Sequence, residues 1–176
     1  MIHQYTVTDI FNCYKQRAFE TPMYGDATPF LTSYLTQLDV IDFEEDDTWP
    51  TISGTRIPVI KRNLFFKKGV ICMDKILEKK KYEYWKWALY DFTSNQMFFT
   101  KVGVGEWTVE TIVEYKYKVT YSYTARNIIC APLNWLFVKI QERGLMKIAM
   151  TGIKTQAESN DELSYTIKRN ETYEMF

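Results

Sequence analysis

A chain of 176 residues, 46% hydrophobic and 25% charged, carries enough apolar material for one core and the polarity of an ordinary globular domain. Lysine plus arginine (22) balances aspartate plus glutamate (22), so there is no positive field to hold nucleic acid or an anionic membrane non-specifically. No window approaches the ~20 apolar residues that span a bilayer, and Met1–Tyr5 lacks the basic and apolar regions of a signal peptide, so a cytoplasmic location is expected. Cys13, Cys72 and Cys130 form no CxxC pair and read as reduced thiols.

Taken in chain order, Tyr5–Thr8 reads as strand, and Ile10–Phe19 suits either strand or amphipathic helix, with part of it expected as strand. Asp26-Ala27-Thr28-Pro29 signals a helix start. Thr28 can cap, Pro29 suits the first helical position, and Phe30, Leu31, Tyr34, Leu35 and Leu38 recur at helical spacing up to about Asp39. Strands follow at Val40–Glu45, Thr51–Ile60, Val70–Leu77, Tyr82–Phe92 and Met97–Val102. Gly54 and Pro58 mark an edge or bulge, Glu78–Lys81 a charged hairpin tip, and the Gly103/Gly105 pair a bend.

Between Trp107 and Tyr123 every odd position except Thr111 is apolar or aromatic, while the even positions are nearly all polar. That alternation predicts sheet with one buried and one wet face. One straight strand of this length would outrun the domain, so a hairpin is expected near Val113–Lys116 although glycine and asparagine are missing there. Pro132 then opens a helix running to about Glu158, with Leu133, Leu136, Phe137, Ile140, Met146, Ile148, Ala149 and Ile153 on its apolar side. Gly144 suggests close backbone approach, and Met146 and Met150 are adaptable wall residues. Residues 1–158 therefore read as a single domain and 159–176 as a polar tail.

The order strand, helix, meander, long C-terminal helix, together with the closing run from Tyr121 through Ala131-Pro132-Leu133-Asn134-Trp135 to Lys147, resembles the end of START-like proteins of the SRPBCC superfamily. Asp26-Ala27-Thr28-Pro29-Phe30 is similar to the start of that family's first helix. The resemblance implies an α+β helix-grip fold, an antiparallel sheet of six or seven strands wrapped around a long C-terminal helix with an apolar cavity between them. It also implies binding of a small hydrophobic or aromatic ligand, lipid-, polyketide- or quinone-like. It carries over no catalytic residue.

On the residues themselves, Trp85, Trp87, Tyr117, Tyr121, Tyr123, Trp135 and Met146 are the expected cavity wall. Arg126 is the expected polar anchor, and Arg56 a further cation in a middle strand. Tyr121→Ala is expected to weaken binding more than it lowers stability. The run Tyr82–Tyr90 could stack bases, but one lysine beside one glutamate argues for a core or cavity wall instead. His3, the single histidine, sits at the N-terminus away from any nucleophile motif, and no His/Cys spacing fits a metal. No phosphate-cradling glycine motif occurs, so neither a cofactor nor a metal is expected. Two other classes stay open: a cyclase or dehydratase acting on such a ligand, and a chaperone-associated, partner-binding module with a filled core.

Overall fold

The computed structural model describes residues 2–24, 40–45, 51–60, 69–70, 72–92, 100–127 and 143–159. The chain opens with strand β1 (Ile2–Phe11) and helix α1 (Lys15–Tyr24). Strands β2 (Val40–Glu45), β3 (Thr55–Ile60), β4 (Gly69–Val70), β5 (Met73–Lys80), β6 (Tyr84–Tyr90), β7 (Thr100–Val113) and β8 (Lys116–Asn127) follow, then helix α2 (Arg143–Glu158). They form one eight-stranded sheet in the order β1-β8-β7-β6-β5-β3-β2, with β4 beside β3. Every pairing is antiparallel. The strand number exceeds the expected six or seven because the two-residue β4 adds a short bridge to β3.

Several boundaries differ from the sequence reading. The segment from Ile10 divides at Asn12–Tyr14, strand before and helix after, so little of 10–19 is strand. Pro58 is not on an edge strand. It falls between the part of β3 paired with β5 (Thr55 and Arg56) and the part paired with β4 (Val59 and Ile60), where a missing N–H costs no ladder bond to either. Glu78–Lys80 belong to β5, and the hairpin tip is Lys81–Glu83. The helix expected from Thr28 to Asp39, the first part of the C-terminal helix and the tail beyond Ser159 lie outside the described residues.

Parity explains how one face of the meander becomes the core. In the β7–β8 ladder odd residues pair with odd, as in Trp107↔Tyr121 and Val109↔Val119, whereas Val113 pairs with Lys116. A two-residue turn alone would have paired odd with even throughout. The bulge between Thr111 and Val113 adds one residue to β7 and restores the match. Trp107, Val109, Tyr117, Val119 and Tyr121 are buried, whereas Val113 and Tyr115 at the hairpin tip project beyond the core and are exposed. Tyr115 takes the left-handed conformation (φ 61°) that this turn needs, and its ring meets Tyr14 edge-on at 5.1 Å.

Both helices pack on this inner face. Helix α2 buries Met146, Ala149, Met150, Ile153 and Ala157, three or four residues apart, against a core containing Phe11, Trp107 and Val119. Its C-terminal carbonyls are capped from α1. The Arg17 guanidinium donates to Gln156 O, to Ala157 O (3.3 Å) and to Ser159 O (3.1 Å), placing positive charge at the negative end of the helix dipole. Lys154 to Asp9 (2.9 Å) and the Asn12 N–H to Glu158 (2.7 Å) fix the same helix to β1 and the residue after it. Helix α1 contains Pro22, which has no N–H to give to the carbonyl of Ala18 four residues earlier. That carbonyl accepts the buried indole N–H of Trp107 instead (3.0 Å) and so ties α1 to the sheet. Among the described residues no helix is long and apolar enough to cross a membrane.

Candidate functional site

The inner face is layered by register. One row reads Lys79, Trp85, Trp107, Tyr121, Val7 across β5, β6, β7, β8 and β1. Two residues further along, the row is Ile76, Trp87, Gly105, Tyr123, Tyr5, and the next is Asp74, Leu89, Gly103, Ala125. The first row holds the large rings beneath α1. The second and third replace bulk on β7 with glycine.

Those glycines decide how the neighbouring rings lie. A Cβ on Gly105 would stand 2.2 Å from the Trp87 ring, and one on Gly103 would stand 2.0 Å from the Tyr123 hydroxyl. Both rings therefore lean across β7 into space that any other residue would occupy. Trp87 in turn stacks on Trp85 (centroids 4.1 Å, planes 19° apart) and on Tyr121 (5.6 Å, 21°). Trp107 closes the group from Tyr121 (5.9 Å), and Phe11 meets Trp107 edge-on (6.2 Å). This makes a nearly parallel group of three rings, with Tyr123, Leu89 and Tyr5 half-buried at its border.

Two polar groups sit in this apolar setting. The indole N–H of Trp85 is buried and makes no hydrogen bond, in contrast to that of Trp107. Such a donor keeps its full desolvation cost until an acceptor reaches it. Asp74, only 3% exposed, shares the buried parity of β5 with Cys72 and Ile76. The sequence reading passed over Asp74, although the spacing Cys72, Asp74, Ile76 already placed it on the apolar side of the strand.

Of the expected wall residues, the structure gathers Trp85, Trp87, Tyr121, Tyr123 and Met146 in or against one core cluster. Tyr117 belongs to the cluster too, but it pairs with Phe11 at the hairpin end, ~20 Å along β8 from Tyr123. Trp135 lies outside the described residues. The expected anchor Arg126 is exposed, at an even position of β8, whereas Tyr121, Tyr123 and Ala125 occupy odd ones. Arg56 pairs through its backbone with Asp74. The Cys13 thiol is pushed up to about 11, by burial first and by the Glu158 carboxylate second, so it is a poor nucleophile at neutral pH.

No protein-family model matches the sequence, and no curated protein matches it. Solved structures do match in shape. Truncated norcoclaurine synthase from Thalictrum flavum superposes with a TM-score of 0.65 at 6% identity, covering 92% of this chain and 96% of that one. The same enzyme in complex with dopamine and hydroxybenzaldehyde gives 0.61 at 10% identity, covering 92% and 90%. Major latex-like protein 151 from Panax ginseng gives 0.57 at 10% identity, covering 90% and 99%. At these identities the likeness shows the fold alone, and that fold is the START-like helix-grip arrangement.

Proposed function

We propose that this protein binds a small apolar or aromatic molecule non-covalently between the inner face of its sheet and its C-terminal helix. The observation that carries this reading is the Trp85–Trp87–Tyr121 ring group, set beside a strand whose glycines make room for Trp87 and Tyr123. Flat rings with Met146 and Met150 across from them suit a planar guest, since aromatic faces reward stacking and methionine adapts to its outline. The unbonded Trp85 N–H favours a guest with an acceptor oxygen, which describes a quinone, a polyketide or a lipid carbonyl better than a pure hydrocarbon. Trp135 is kept as a proposed wall residue. One similarly folded enzyme takes up dopamine and hydroxybenzaldehyde, both single-ring aromatics, and this adds to the support. Native mass spectrometry of gently purified protein should return a co-purifying small molecule. Apoprotein alone, together with no uptake of any hydrophobic dye, would contradict the reading.

Asp74 favours a second reading, a cyclase or dehydratase on the same ligand. A buried carboxylate on the inner face is the polar group that proton transfer there requires. If it acts, protein carrying Asp74→Asn should co-purify with a ligand one water heavier than the wild type's, the undehydrated precursor. An identical ligand in both would leave Asp74 with a structural role and the protein as a binder.

A further inference from the structure

A cavity lies between α1 and the tip of the β5–β6 hairpin. It measures about 660 Å³. Phe19 and Tyr24 from α1 and Tyr82 from the tip supply its apolar walls, and Lys79, Lys81 and Glu20 supply its charges. The local backbone is shaped to deliver these groups. The bulge between Ile76 and Glu78 shifts the parity of β5, so that Lys79 falls opposite Trp85 instead of on the outer face with Leu77 and Glu78. Tyr82 takes a left-handed conformation (φ 62°), unusual for an aromatic residue, within the turn closed by the Glu83 N–H to Lys80 O (3.0 Å). Its ring is thereby presented edge-on to Phe19 (centroids 6.0 Å, planes 90° apart), with the Lys81 ammonium 4.9 Å from the ring centre.

Among the described residues that line the groove, the charged groups are the ammonium groups of Lys79 and Lys81 and the carboxylate of Glu20, which accepts a hydrogen bond from the Gln16 amide (2.9 Å). Burial holds the Lys79 ammonium below the ordinary lysine range, against the opposing attraction of the Glu20 carboxylate. We propose that this groove is a separate binding site for a small organic anion with a flat aromatic body, such as an aromatic carboxylate or sulfonate. Lys79 and Lys81 hold the anionic group, and Phe19, Tyr24 and Tyr82 contact the ring system.

A matched pair of fluorescent probes separates this site from the inner-face cavity. Anilinonaphthalene sulfonate carries the anion, and N-phenyl-1-naphthylamine is the same ring system without it. The wild-type protein should bind the sulfonate at a site that a saturating amount of the neutral amine does not clear, and added salt should weaken it. Lys79→Gln or Lys81→Gln should weaken the sulfonate about five- to tenfold, and Lys81→Gln should leave the neutral amine unaffected. Lys81 is exposed, so Lys81→Glu tests the same point by charge reversal in a variant whose core is untouched. Complete displacement of the sulfonate by the amine, no binding of the sulfonate, or indifference to all three substitutions would overturn the proposal. Lysine-dependent sulfonate binding with no uptake of the amine would uphold this site and contradict the inner-face reading instead.

Discussion

Tyr121 touches two tryptophans, Trp87 at 5.6 Å and Trp107 at 5.9 Å between ring centroids, and only 7% of it reaches solvent. This reverses the expectation that its loss would fall mainly on binding. Tyr121→Ala should cost ~3–5 kcal/mol in denaturant unfolding, as for any well-packed core ring. Tyr123, by contrast, lies half-buried over Gly103. Tyr123→Ala should lose less than half as much stability while weakening neutral-dye uptake by ~1 kcal/mol, about the worth of an aromatic contact. Equal stability losses at the two positions would place both in plain core. The glycines allow a similar contrast. Gly105→Ala drives a Cβ into the rigid, buried Trp87 ring and should cost ~2–3 kcal/mol. Gly103→Ala meets only the far end of Tyr123, which can swing aside, so its cost should be smaller. At pH 8, Cys13 holds about a hundred times less thiolate than a thiol at the ordinary 9.0, since burial pushes it up to about 11. Iodoacetamide labelling followed by peptide mapping should find it slow in native protein and fast after unfolding.

At the level of elements, Pro22 and Trp107 form one device. Proline frees the Ala18 carbonyl and the indole takes it, so Trp107→Phe strands a buried acceptor and should cost ~1–3 kcal/mol beyond any loss of packing. In a Pro22→Ala background the new N–H can serve that carbonyl, and the same substitution should cost less. A double-mutant cycle measures the difference, and strict additivity would dissolve the link. The hairpin at Val113–Lys116 was legible in the sequence because alternation on both arms demanded a reversal between them. Its mechanism was not, because the bulge at Thr111/Val113 and the positive φ of Tyr115 replace the glycine or asparagine that normally announces such a turn. The burial of Asp74 was legible from parity alone. Arg126, expected as the polar anchor, stands at an even, exposed position of β8. The β1–α1 boundary was obscured by composition: Ile10–Phe19 satisfies both periods, and only the pairing of Phe11 with Tyr117 decides where the strand stops.

At the scale of the whole molecule, the first and last strands pair along their full length, and α2 is capped by α1 through Arg17. At one end of the molecule α1, the β7–β8 hairpin and the C-terminus of α2 therefore meet, around a cleft of about 380 Å³ lined by Cys13, Arg17, Tyr115 and Glu158. The opposite end of the inner face carries the small residues Gly103, Gly105 and Ala125, with the Tyr123 and Trp87 rings lying over the two glycines. The resemblance in element order pointed to this architecture, but the step from large rings to glycines along the inner face comes from register, which no single segment of sequence displays. A filled core would make the protein a partner-binding module; a cavity makes it a carrier or an enzyme. The measurement that separates these most directly is an equilibrium titration with N-phenyl-1-naphthylamine, read by energy transfer from the inner-face tryptophans. A saturable rise with one dye per chain, weakened by Tyr123→Ala and unchanged by Lys81→Glu, is the predicted result. A flat titration of protein that still melts cooperatively would show a filled interior and contradict the account.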